Sequence, residues 1–213
     1  MRAEQEDRPE PVWSCWNYWI AVPTGDQAGV METLGLTASR PMTFAQAREM
    51  IDTAVHGGLD HQVYVSPEVD GWTLVIGPWC DPCDEDVLSL CLALSARYAR
   101  CQAYYFGEQG DGSAWLVAEH GNLVRRYAAT DDDLPALGLP LPQEQARLLS
   151  LGLPADLATA SAEELDEWAV EAAYLAPEIA TSYGVTPHTL TKDTVVRGTG
   201  KLALTPVATA HQN

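Results

Sequence analysis

The sequence predicts an α+β protein, with helices covering a mainly antiparallel sheet. Three observations point there. Two stretches, 43–55 and 84–100, carry apolar residues at helical spacing. Several short apolar runs are separated by turn residues. Their order along the chain is β-α-β-β-α-β, followed by one more hairpin.

Ser14–Val22 alternates as a strand, with Trp16, Tyr18, Ile20 and Val22 on one face. In the helix over 43–55, Phe44, Ala47, Ile51 and Ala54 share a stripe, Thr43 is the cap, and Gly57-Gly58 is the stop. Gln62–Val69 and Trp72–Gly77 read as strands joined by Asp70-Gly71, a strong hairpin signal because both residues accept positive φ. In the helix over 84–100, Val87, Leu90, Cys91, Leu94 and Tyr98 line one side. Gln102–Gly107 is a strand, and Ala114–Glu119 and Leu123–Ala128 form a hairpin about His120-Gly121-Asn122. Adjacent residues on a strand face opposite ways, so Arg125 and Arg126 are expected to anchor acids on opposite faces of the sheet.

Residues 1–12 are polar and expected to be disordered, and 13–130 form the sheet domain. Residues 131–142, with three acids and three prolines, read as a linker. Residues 143–213 read as a small helical lobe: Gln143–Ser150 is a short helix, and Ser161-Ala-Glu-Glu164 is a capping box opening a helix through Ala176. Pro177–Tyr183 continues as helix, and one strand is expected after Val195. The first six elements resemble the ferredoxin-like split βαβ layout, which implies two helices on one face of the sheet.

The formal charge is −18, and the only lysines are Lys192 and Lys201. Such a field disfavours phosphate backbones and favours a basic protein or peptide partner. Met1–Pro11 lacks the apolar core of a secretory signal, and no apolar run is long enough to span a bilayer. Five cysteines, an odd count, fit reduced thiols in a cytoplasmic setting.

Trp79-Cys80-Asp81-Pro82-Cys83 lies between the strand ending at Gly77 and the helix starting near Asp84. A thiol at a helix start is acidified by the dipole, and a second sulfur two residues on can resolve a mixed disulfide. The segment resembles the active-site motif of thioredoxin-like proteins. That resemblance implies an attacking Cys80, a resolving Cys83 and a shielding Trp79. The segment facing the pair, Gly112-Ser113-Ala114-Trp115, contains no proline, and Asp81, Asp84, Glu85 and Asp86 oppose a thiolate. A single Cys-x-x-Cys supplies half a structural zinc site, so no metal or other cofactor is expected.

The leading expectation is a non-catalytic cytoplasmic binding or accessory protein that recognises a basic partner. Its binding surface would combine Trp72, Tyr104 and Trp115 with Asp84, Glu85 and Asp86. The alternative is a thiol–disulfide oxidoreductase using Cys80 and Cys83. A third reading takes 178–197, with its turn glycine Gly184, as a degenerate helix-turn-helix of a transcriptional regulator; the segment after Thr189 is a poor recognition helix. Membrane association is not expected.

Overall fold

A computed structural model describes residues 8–57, 61–130 and 134–206. The elements follow in chain order: β1 (Trp16–Val22), α1 (Gln27–Thr33), β2 (Thr37–Pro41), α2 (Phe44–Gly57), β3 (Gln62–Val65), β4 (Glu68–Val69), β5 (Thr73–Ile76), α3 (Glu85–Tyr98), β6 (Arg100–Gly107), β7 (Ser113–Glu119), β8 (Asn122–Ala129), β9 (Leu137–Gly138), α4 (Pro142–Leu151), α5 (Ala162–Ala172), α6 (Ala176–Tyr183), β10 (Val196–Arg197) and β11 (Lys201–Leu204). The protein is α+β, built on a large antiparallel sheet with the order β2-β11-β3-β5-β1-β6-β7-β8-β9. β4 and β10 form a separate two-stranded pair.

The local signals act as expected. Asp70 (φ 49°) and Gly71 (φ 86°) turn the chain so that Val69 and Trp72 exchange backbone hydrogen bonds of 2.8 and 2.9 Å. Thr43 Oγ1 accepts from the Gln46 amide and Gln46 Oε1 accepts from the Thr43 amide, closing the start of α2 reciprocally. Ser161 and Glu164 do the same for α5. The stripe Phe44, Ala47, Ile51 and Ala54 is fully buried.

The helices divide differently from the expectation that the first two share a face. α2 packs with α4, α5 and α6 on one face, against Trp19, Tyr64, Leu74, Tyr104 and Trp115. α3 packs on the other with the short α1, against Ile20, Val63, Val75, Cys101 and Leu116. α1 supplies what α2 was expected to supply. Its cap, Asp26, accepts from the Gly29 amide, and its Gln27 side chain donates to the carbonyls of Ser66 (2.8 Å) and Thr199 (3.0 Å). With both faces covered, β1 buries Ile20 and Val22 on one side and Trp19 and Ala21 on the other.

The segments on either side of residues 131–142 are joined by packing and pairing. Residues 1–7 lie outside the described residues, but Val12 is buried and its amide donates to the Pro187 carbonyl at 3.0 Å. Asp131–Asp133 lie outside the description; Leu137–Gly138 pairs with β8. α4–α6 share the core under the sheet, and β11 inserts between β2 and β3. Apolar faces on α4–α6 bury best against the sheet, and a strand needs neighbours to satisfy its backbone.

α4 is fastened by charge as well as by packing. Glu144, fully buried, accepts from Arg125 Nε and Nη2, the latter at 2.7 Å. It also accepts from the Trp115 indole (3.1 Å) and the Leu141 amide (2.8 Å). Arg125 Nη1 donates to the Gly138 carbonyl, and its guanidinium lies over the Tyr127 ring at 5.0 Å. Removing one member of such a pair strands a buried charge. Glu144→Ala should therefore cost about 3–5 kcal/mol in urea denaturation, and adding Arg125→Met should recover part of that loss.

Candidate functional site

The Trp79–Cys83 turn is built from two short backbone turns. Cys80 N donates to Gly77 O at 2.9 Å and Asp84 N to Asp81 O at 3.1 Å. Pro78–Cys80 forms a tight helical turn of its own, and α3 starts only at Glu85, capped by Asp84, whose carboxylate accepts from the Asp86 amide. Cys80 therefore lies four residues ahead of the α3 cap, and Pro82 lies outside the helix. This corrects the expectation that Cys80 sits at the helix start: Asp84 is a stronger cap than a thiol and takes that place.

The two sulfurs occupy different environments. Cys80 is fully buried and its Sγ donates to the Val75 carbonyl at 3.4 Å. Burial pushes its pKa far up, with neighbouring Cys91 and Asp81 acting in the same direction. Cys83 is half-buried, its amide held by Asp81 Oδ1 at 2.8 Å. Trp79 packs half-buried against the core beneath α3. Cys80, Cys91 and Cys101 all belong to that core, and burial also raises the Cys101 pKa.

Arg126 holds the turn in place. It donates to the carbonyls of Pro82 (2.9 Å) and Cys83 and to Glu85 Oε1 at 2.5 Å. Arg125 and Arg126 thus clamp opposite faces of the sheet, as their adjacent positions on β8 require. The chemistry available at Cys80 is that of a neutral, enclosed thiol serving as a small core residue.

The residues expected to form a binding surface are not brought together. Tyr104 and Trp115 are both 0% exposed and belong to the core on the α2 side of the sheet. Tyr104 stacks on Trp19 at 5.0 Å and Trp115 on Tyr127 at 4.9 Å. Trp72 is half-buried, close enough to Gly184 that a Cβ there would meet its ring at 2.4 Å. Asp84, Glu85 and Asp86 are exposed at the start of α3, on the other face. Aromatic residues alternate along these strands because both faces of the sheet need filling, so their density signals core.

The segment read as a helix-turn-helix holds one helix, α6. After α6, residues 184–195 hold only turns, and β10 follows. Thr186 and Thr189 join hydroxyl to hydroxyl at 2.8 Å, and Leu190 is buried.

Sequence reasoning missed two features. One is the acidic outer stripe of α5, where Glu163, Asp166, Glu167 and Val170 share the exposed side of the helix. Its 3.6-residue spacing was legible. The other is a cleft of about 460 Å³ lined by Pro11, Trp13, Arg48 and His188, from three distant segments. No sequence pattern announces it. Among the described residues, no three His, Cys, Asp or Glu side chains group as a metal site, and no helix is long and apolar enough to cross a membrane.

Comparison of the chain with protein-family models, curated proteins and solved structures gives no match.

Two outcomes follow. Native Cys80 should resist iodoacetamide at neutral pH and react only as the fold opens, whereas urea-unfolded chain reacts at once; rapid native alkylation mapped to Cys80 by mass spectrometry would contradict its enclosure. Burial also lowers the His188 pKa from 6.5 to about 4. Between those values the unfolded chain binds the proton more readily, so stability is lost as pH falls through that window. In urea melts, wild type should lose roughly 2–3 kcal/mol more than His188→Gln between about pH 7 and about pH 4.

Proposed function

We propose that the protein is a non-catalytic binding protein whose acidic surface recognises a basic protein or peptide. The observation that carries this reading is the way the chain spends its cations. Arg97, Arg100, Arg125, Arg126, Arg147 and Arg197 each hold a carboxylate within 4 Å. Glu163, Asp166 and Glu167 on α5 and Asp86 on α3 face solvent with no ion pair among the described residues. In a chain of net charge −18, these exposed acids concentrate negative charge where no ion pair among the described residues offsets it.

Val170, 66% exposed, lies between these acids and the end of α5, and gives a basic amphipathic segment an apolar contact beside the charge. Two coarser readings accompany the proposal. The run β3-β5-β1-β6 has the neighbour order of a ferredoxin-like sheet, and we read the remaining strands as additions at its edges. Five cysteines, an odd count, suit a cytoplasmic location.

Titration with a fluorescent Lys/Arg-rich peptide tests the reading. Binding is expected at about 0.02 M salt and should weaken at least about tenfold by about 0.5 M. Replacing Glu163, Asp166 and Glu167 together by glutamine should weaken it, leaving the melting temperature nearly unchanged because all three are exposed. Absence of binding at either salt overturns the proposal.

A further inference from the structure

The cleft between Pro11, Trp13, Arg48 and His188 has the size of a small-molecule site, about 460 Å³. Its walls are held by bonds on both sides. Val12 N donates to Pro187 O at 3.0 Å, tying the segment bearing Trp13 to the turn bearing His188. The Thr186–Thr189 hydroxyl pair closes that turn, and α2 contributes Arg48. The Trp13 ring meets His188 edge to face, with centroids 5.0 Å apart at 72°, and His188 meets Trp19 at 5.7 Å and 81°. Phe106 lies 6.1 Å from Trp13.

The polar groups in this neighbourhood are underused. His188 Nδ1 is buried and has no hydrogen-bond partner, and the same holds for Trp19 Nε1 and the Tyr104 hydroxyl behind it. Buried polar atoms of this kind are normally satisfied, by protein, water or ligand. Arg48 is half-exposed, and its contact with Glu10 is long, at 3.8 Å. It lines the cleft with a guanidinium capable of a two-point carboxylate bond.

We propose that this cleft binds a small aromatic carboxylic acid, its ring against Trp13 and His188 and its carboxylate on Arg48. The ring is demanded by the aromatic walls and the negative charge by Arg48, which repels an amine placed there. This inference is independent of the acidic-surface reading, which concerns α5 and a macromolecule.

Isothermal titration of the full chain with indole-3-acetate and 4-hydroxyphenylacetate tests it, with tryptamine as the cationic control. Saturable binding of at least one acid is expected, with tryptamine binding at least about tenfold more weakly. Arg48→Met, at an exposed position, should raise the dissociation constant at least about tenfold, and His188→Gln should raise it less. Circular dichroism melts establish that both variants fold. The proposal is overturned if neither acid binds wild type below about 5 mM, if tryptamine binds as well as the acids, or if folded Arg48→Met binds as tightly as wild type.

Discussion

The Arg125–Glu144 pair is the constraint around which one half of the molecule is arranged. A carboxylate with no solvent exposure is stable as an anion only when every lone pair is served, and Glu144 receives donors from Arg125, Trp115 and the Leu141 amide. Those donors come from β8, β7 and the start of α4 itself. The pair thereby sets where α4 lands on the sheet and which residue begins it. Once α4 is placed, α5 and α6 follow: Ser113 Oγ donates to the Ala172 carbonyl at 2.6 Å and accepts from the Ala176 amide at 3.4 Å. A fully buried hydroxyl at the first residue of β7 thus holds the junction between the last two helices.

The next residue on β8 organises the opposite face. Arg126 gathers the carbonyls of Pro82 and Cys83, which end a turn and would otherwise be left unpaired close to the core. These bonds give the tight Trp79–Cys83 loop a structural anchor. The loop is a crossing from β5 to α3 that buries one sulfur, turns its Asp81 onto the Cys83 amide and hands its carbonyls to a guanidinium. The spacing of the two cysteines matches a dithiol motif, but the geometry differs because Pro78 starts a turn before the helix does. With its own cap at Asp84, α3 leaves no amide donors for Cys80.

Much of the local structure was legible in the residues. The stripes of α2 and α3, the Asp70-Gly71 turn, the caps at Thr43 and Ser161, and the opposite facing of Arg125 and Arg126 all follow from rules acting over a few residues. What escaped depends on residues far apart in sequence. α1 is only seven residues long and β2 is exposed along its whole length, so neither carries an apolar period. The face that each helix covers, and the insertion of β11 between β2 and β3, are tertiary choices. The candidate site suffered from the same blindness. Tyr104 and Trp115 looked like a surface because aromatic density does not distinguish a core filled from two sides from an exposed platform. His188 and Trp13 lie at opposite ends of the chain.

The charge distribution connects these points. Arg125 makes hydrogen bonds through Nε, Nη1 and Nη2, and so does Arg126. A planar fork with five donors can close such a site; an ammonium group, a single point, cannot bridge the same set of acceptors. A fold that assigns its cations to these clamps needs arginine there, in keeping with a chain that has only two lysines. The same assignment leaves the outer faces of α5 and the start of α3 to carboxylates. The acidic surface is then the complement of an interior held together by arginine. Arg48 departs from this pattern, with a long contact to its nearest acid and an aromatic cleft beside it. The two proposed recognition chemistries are therefore of opposite sign and lie on separate elements, so a salt titration and a small-acid titration address them independently.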